Sequence, residues 1–566
     1  MTFNVKEEVA KRHFFLKNIL ENSIGDEELE INRINYNILL KQIKERYFVK
    51  FVNGKKVLFA TTFHNDKIFL FLDYNSFYIC KNINDINSSI KKIKGNNKME
   101  KKNLWILTEE RPKKSVIYKI IEKFVKDYSI ACFIDNIRIL PILNPDKTFS
   151  FTYEVLGMKS EYIDKIYIKI VSGYSSFVDF LIFYQIDEPN KNDIPIYAIE
   201  ETKTDDSESR NTGIFQRASK FVYIDNYYPN VKKIMLYSLQ IKQKDEPTET
   251  NIFGTRCLLT LGIEIIGKET DTKIMKPFVS IKELIDSKNS MRMPPKGNIP
   301  IKIYVYENNI QVSGRLFKSG GLSHDPNIGS LSLICATLRK LGWDKKLEIV
   351  EHGLEQRHVA NATNKFIRIA NRFNIILQGL NIPCSLEDID YWKYDISGEK
   401  LGTIFIHLIV ENFTKGFSIY ENHAGCERGY FYTSTGEPIV VGKYFDKEKY
   451  KSGNKSQIIH IPDLVIADFE RLTIINIEGK KEENVQQGIK ELDNFDAFEN
   501  LYIKEYYSEY RTILRTVVLY GSDKEEIEQI EVSFMLNNKG KMILGIKAPE
   551  IFKIAIKNLF DYWRVR

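Results

Sequence analysis

The sequence predicts an α/β (α+β) fold built around two mixed-sheet domains. Three observations lead there. Two separated segments each run strand, strand, helix, strand. Apolar residues recur every second position in the strands and every third or fourth in the helices. A polar stretch rich in Pro and Gly, DSKNSMRMPPKGNIP near 285–299, divides the two segments. At 566 residues the chain is too long for a single hydrophobic core. Its 43% hydrophobic and 28% charged residues are those of an ordinary folded protein.

The bulk numbers narrow the function classes. A formal charge of +7 permits a nucleic-acid partner without demanding one. The six cysteines, at 80, 132, 257, 335, 384 and 426, form no C-x-x-C pair, so neither a zinc site nor a disulfide framework is expected. A reducing, cytoplasmic setting is the expectation. The opening MTFNVKEEVAKRHFFLKNIL is charged throughout, so no signal peptide is expected, and no apolar run is long enough for a membrane span.

Taken in order, 4–47 reads as helical and 50–80 as strands with an Asn-Gly turn. The basic run KKIKGNNKMEKKN at 91–103 reads as a solvated linker or a phosphate-contacting loop. This N-terminal region, 1–110, is followed by a first domain at 111–285, which opens with a helix over 114–127 whose apolar stripe is Ile117, Ile120, Ile121 and Val125. Strands follow at 176–184 and 196–203, a helix from 211 and a strand at 231–239. A central segment, 300–400, begins its first helix at Asp325-Pro326, a capping residue followed by a proline suited to the first helical position. A second helix is expected over 354–378, with Phe366, Ile369, Phe373 and Ile376 on its core side. Arg357, Asn361, Lys365, Arg368 and Arg372 form a narrow stripe, side-chain types suited to base edges and phosphates. A solvated helix face is the plainer alternative. A last domain, 401–566, repeats the first one's order: strands at 463–467 and 474–480, a helix from 482 with Val485, Ile489 and Leu492 on its buried side, and a strand at 512–520.

The chemistry lies in the repeated strand pairs. Asp463 heads one strand and Glu478-Gly479-Lys480 ends the next; Asp179 lies on one strand and Glu201-Thr202-Lys203 on the next. Gln216 and Gln487 sit on the helices that follow. Paired carboxylates hold a hard cation such as Mg²⁺, and a lysine beside them offsets charge on a phosphodiester. A lone E-x-K arises by chance in so Glu- and Lys-rich a chain; the acid, the E-x-K strand and the Gln-bearing helix together are the signal. The plain alternative is a solvated carboxylate–lysine pair. The eight histidines do not group as a metal or H-N-H site: His13 and His64 read as ordinary, and His324 and His352 as turn or cap residues, with DNA contact as the alternative.

Both regions resemble the PD-(D/E)xK nuclease superfamily, the fold of most type II restriction endonucleases. The second matches fully, through Pro462-Asp463 and Glu478-Gly479-Lys480; the first has Val178 in place of the proline. The resemblance implies two mixed-sheet nuclease domains, with Asp179, Glu201, Asp463 and Glu478 as Mg²⁺ ligands and Lys203 and Lys480 completing the catalytic sets. It also implies supporting roles for Gln216 and Gln487, and upstream acids, for which Glu154 and Glu421 are candidates. The activity implied is hydrolysis of double-stranded DNA to 5′-phosphate and 3′-hydroxyl ends. Two unlike centres suit an asymmetric target, one strand each, and a chain acting as a monomer on DNA. Two readings stay beside this one: a repair or defence nuclease with one live centre and one structural copy, and a non-catalytic DNA-binding protein on nuclease scaffolds.

Overall fold

The computed structural model describes residues 101–566 apart from short stretches, the longest being 205–212 and 292–300, together with the backbone of four strands between 47 and 80. The helices expected at 4–47, the Asn-Gly turn, most of the 91–103 run, His13, His64, His324, Asp325 and Asn361 lie outside the described residues.

The chain divides into two compact units. The first comprises Met1–Lys102, Tyr118–Asn136 and Gly157–Asp164. It contains an antiparallel meander of β1 (Tyr47–Val52), β2 (Lys55–Thr61), β3 (Ile68–Phe71) and β4 (Phe77–Cys80), in that order.

The second unit holds everything else. Its leading elements are β5 (Lys102–Thr108), α1 (Lys114–Asp127), β6 (Cys132–Leu143), β7 (Phe149–Ser160), β8 (Ile163–Gly173), β9 (Phe180–Gln185), β10 (Tyr197–Thr204), α2 (Gly213–Tyr223), β11 (Lys232–Ile241), α3 (Glu249–Thr260), β12 (Glu264–Ile266) and α4 (Ile281–Ser290). The terminal residues of β5 and β8 and parts of α1, β6 and β7 fall in the first unit. The main sheet runs β12-β11-β10-β9-β5-β8-β7-β6. β10 is antiparallel to β9 and parallel to β11, which is parallel to β12. The strand and helix assignments made from alternation at 176–239 hold to within a few residues.

The central segment supplies β13 (Lys302–Tyr306), β14 (Asn309–Ser313), the short hairpin β15 (Phe317–Lys318) and β16 (Gly321–Leu322), α5 (Pro326–Lys340), β17 (Lys346–Val350), α6 (Gln356–Val359), α7 (Lys365–Arg372), β18 (Ile376–Leu377) and β19 (Trp392–Tyr394). Strands β13-β14-β17-β18 form a separate sheet, and β19 pairs with β8. The apolar residues of this segment share one core with those of the first domain. Ile214, Phe215, Ala218 and Phe221 of α2 lie in the same cluster as Leu331, Ile334 and Leu338 of α5 and Phe366 and Ile369 of α7. The Pro- and Gly-rich stretch therefore does not mark a break between cores. Gly329 explains how closely α5 approaches α2: a β-carbon there would lie 2.1 Å from the Phe215 carbonyl oxygen.

The continuous helix expected over 354–378 is corrected. Gln356–Val359 (α6) and Lys365–Arg372 (α7) are helical, with 360–364 outside the described residues; the helix ends at Arg372, and Ile376 starts a strand and is 40% exposed. The periodicity ran past the helix end because Phe373 and Ile376 continue the apolar spacing.

The last segment contributes α8 (Leu401–Phe413), β20 (Phe417–Ser418), β21 (Tyr420–Asn422), β22 (Arg428–Tyr432), β23 (Pro438–Gly442), α9 (Lys447–Lys451), β24 (Leu464–Asp468), β25 (Thr473–Lys481), α10 (Val485–Leu492), short helical turns through 496–506, β26 (Thr512–Ser522), β27 (Val532–Asn537), β28 (Met542–Leu544) and α11 (Glu550–Val565). Its sheet runs β20-β24-β25-β26-β27-β28. β25 is antiparallel to β24 and parallel to β26, and β26 is parallel to β27, the order of directions seen in β9–β12. β24 is buried along its whole length, as its unbroken run of apolar residues requires. Among the described residues no helix is long and apolar enough to cross a membrane.

Candidate active sites

Register builds both centres. β10 pairs with β9 through Ile199↔Phe180, so the next pair sets Glu200 opposite Asp179 at the strand end. β25 pairs with β24 through Ile477↔Leu464, and the next pair sets Glu478 opposite Asp463. Each aspartate then accepts the backbone N–H that follows the facing glutamate: Glu201 N–H donates to Asp179 Oδ2 at 2.7 Å, and Gly479 N–H donates to Asp463 Oδ2 at 2.9 Å. The two centres therefore superpose in role as Asp179–Glu200 and Asp463–Glu478.

This shifts the expected first centre by one residue. The acid facing Asp179 is Glu200, 2% exposed, and not Glu201. Neighbouring residues on a strand point to opposite faces, and the Glu201 carboxylate accepts the Ser238 hydroxyl from β11 instead. The place held by Lys480 in the second centre falls to Thr202 in the first. Lys203 lies in β10, and its side chain is outside the described residues. The ammonium of the first centre comes from α2: Lys220 Nζ is 2.7 Å from Glu200 Oε1 and 3.2 Å from Asp179 Oδ1. Two further groups act on this centre electrostatically. Glu109 accepts the Gly173 N–H at 2.6 Å, and Lys400 pairs with Glu110 at 3.0 Å. Lys220 and Lys400 both draw on the Glu109 charge, and Lys400 also feels Asp179.

In the second centre the expected trio is assembled. Lys480 Nζ lies 2.7 Å from Glu478 Oε1 and 2.6 Å from Glu491 Oε2. Gln487 acts through Glu491, donating to its Oε1 at 2.7 Å. Gly488 leaves room for the lysine stem, since a β-carbon there would meet Lys480 Cγ at 2.6 Å.

Both buried glutamates are pushed above the ordinary carboxylate range. Burial, then the facing Asp179, pushes Glu200 up to about 8, with Lys220 opposing. Burial, then Asp463, pushes Glu478 up to about 9, with Lys480 opposing. Burial lowers both lysines, but the carboxylates around them outweigh it and raise Lys220 and Lys480. Each pair therefore presents more negative potential than it can carry unaided.

The remaining expected residues are dispersed. Gln216 is exposed on α2. Glu154 turns to Arg566, 3.0 Å away, and is an ion-pair partner, not an upstream acid of the Asp179 pair. Glu421 lies in β21, its side chain outside the described residues. The recognition stripe is broken: Arg357 is exposed and paired with Glu355 at 2.9 Å, Arg372 is exposed, but Arg368 is 8% exposed and Lys365 leans on α2. The buried Arg368 and the half-buried Lys365 do not share a free surface with the other two, because α7 packs its middle into the core.

Sequence reasoning missed Glu200, Glu109 and Lys400 and did not give Lys220 its role. The adjacent pair Glu200-Glu201 offered two acids, and the long turn before β10 hid the register that chooses between them. Lys220 was visible on the helix, but its reach to both acids depends on how α2 lies over β10. Among the described residues, no group of three or more His, Cys, Asp or Glu side chains is disposed to hold a metal ion. No family model matches the chain, and no curated protein or solved structure is found to be similar to it.

Proposed function

We propose that the chain is a Mg²⁺-dependent, site-specific endonuclease of the PD-(D/E)xK type acting on double-stranded DNA. Each centre cuts one strand of an asymmetric target. The observation that carries this reading is the duplicated geometry: an aspartate and a buried glutamate opposed in register on antiparallel strands, with a lysine ammonium 2.7 Å from the glutamate in both places.

The residues fit a hard cation. Lys220 already bridges Asp179 and Glu200, so the space between these carboxylates suits a positive charge. Their donors are oxygens only, the chemistry Mg²⁺ selects, and Mg²⁺ commonly takes one or two carboxylates and keeps waters and phosphate oxygens for its other positions. Asp179 and Glu200 would hold it in the first centre, Asp463 and Glu478 in the second. When bound, it lowers the pKa of water and offsets charge on the phosphate. In hydrolysis the water oxygen bonds to phosphorus and the bond to the 3′ oxygen breaks. The water's proton ends on that oxygen, leaving 5′-phosphate and 3′-hydroxyl ends. Lys220 and Lys480 place fixed positive charge beside the phosphate as charge builds on it. Glu491 and Gln487 hold Lys480 in place.

A second reading has one specific observation in its favour. The first centre lacks a lysine at the Thr202 position, and Lys220 neutralises both of its acids, as a structural relic would. Digestion of DNA of known sequence, with Mg²⁺ and with excess EDTA, followed by mapping of ends, tests the activity. Robust cleavage in EDTA would sink the metal mechanism, and absence of any cleavage would sink the nuclease reading.

A further inference from the structure

We propose that Lys365, carried by the central segment, is a phosphate-contacting residue of the first centre, which is complete only with α7 seated against α2. The proposal rests on the nuclease reading of that centre. Lys365 opens α7, and the next five residues of the helix, Phe366 to Ala370, are buried, so its position is fixed by the core. Helix α7 packs on α2. There Lys365 Nζ donates to Ser219 Oγ at 2.5 Å, and Ser219 is the neighbour of Lys220, the residue that bridges Asp179 and Glu200.

A serine hydroxyl is a poor partner for the ammonium of a half-buried lysine. Among the described residues no carboxylate lies within ion-pair reach of Lys365, while Lys220, a like charge, is close enough to act on it. Burying a cation without a counter-ion is costly unless the charge is lost or an anion arrives. Burial, then Lys220, accordingly lowers Lys365 to about 7, with Glu200 opposing. A phosphodiester set against the Asp179–Glu200 pair supplies the missing anion, and its arrival restores the charge on Lys365. The plain alternative is a lysine that only holds Ser219 and so α2.

The test uses the full chain carrying Asp463→Ala, in which the first centre alone cuts. Supercoiled plasmid nicking with Mg²⁺ is followed in single turnover, alongside DNA affinity in EDTA and melting temperature. Lys365→Gln is expected to slow nicking roughly 100-fold, the loss typical of removing one transition-state charge contact. Affinity and melting should stay near those of the parent, and Lys365→Arg should recover most of the rate. Nicking by Lys365→Gln at the parent's rate overturns the proposal. So does an equal loss in the Gln and Arg variants with lowered melting, which marks a structural lysine. If the Asp463→Ala parent cuts nothing while Asp179→Ala still linearises plasmid at the normal rate, the first centre is not a nuclease and the proposal falls with it.

Discussion

At the scale of single residues, one position on β10 separates two acids of different use. Glu200 contacts Lys220 and faces Asp179, whereas Glu201 meets Ser238 on the other side of the sheet. In the Asp463→Ala background, Glu200→Gln should abolish plasmid nicking. Glu201→Gln should leave it within a few-fold, since the amide oxygen can still accept the Ser238 hydroxyl. The reverse ranking would restore the E-x-K reading of Glu201. Glu478 makes a separate prediction about pH. Its folded value, about 9, stands above its ordinary 4.5, so the folded protein holds a proton that the unfolded chain releases. Stability from this group is fully present below about pH 4.5 and drains away as pH rises through about 9. Metal-free melting followed from about pH 5 to about pH 9 should therefore show a falling component that Glu478→Gln removes. Because Mg²⁺ competes with that proton, calorimetric Mg²⁺ affinity should climb over the same window. A pH-independent affinity would show that Glu478 is not a ligand.

At the scale of elements, α10 and α2 do the same task by different means. Both follow the acid-bearing strand and lie beside it; α10 leaves room for a lysine that comes from the strand, and α2 provides the lysine itself. Gly488→Ala should push the stem of Lys480 aside, because the new methyl would sit 2.6 Å from its Cγ. The side chain is flexible, so the fold should survive with melting changed by only a few degrees. Cutting by the second centre should nonetheless drop at least 10-fold, as Lys480 leaves Glu478 and Glu491; an Asp179→Ala background isolates that loss, and an unchanged rate there would mean the lysine finds another route. This contrast also marks how far sequence reasoning reached. The strands of both domains were legible because their apolar alternation is strong and their turns are polar. Asp463, Glu478 and Lys480 were legible because all three sit on one strand pair joined by a short loop. The first centre was misread by one residue because the turn from β9 to β10 is long, and register across a long turn is set by pairing, which one sequence does not display. The 354–378 stripe failed for another reason. A stripe reading assumes that the charged face meets solvent, whereas α7 packs Phe366–Ala370 into the core and carries Arg368 with them.

At the scale of the whole molecule, the question is whether two centres on one chain work as two enzymes or as one. Within the larger unit they are physically joined: Lys400, which pairs with Glu110 near the first centre, precedes α8, and Gly402 of α8 sits against Val518 and Leu519 of β26, the latter paired with Lys480. Independence still has a sharp signature. Asp463→Ala removes a carboxylate from one centre, and Asp179→Ala removes one from the other. If each centre owns a strand, each variant becomes a nicking enzyme, and supercoiled plasmid should accumulate as open circles and not as linear molecules. Sequencing the nicked ends should place the two cuts on opposite strands of one site, and the double variant should bind DNA and cut neither. Linear product from Asp179→Ala at the normal rate would make the first centre a structural relic, and two copies of the second centre would then be needed for a double-strand cut. Loss of both cuts in either single variant, with folding and DNA binding intact, would mean the centres act in a fixed order. The Lys400–α8–β26 connection is then the first place to look for the coupling, and Gly402→Ala, which sets a methyl 2.8 Å from Val518 Cγ1, should disturb the order of cutting before it disturbs either acid pair.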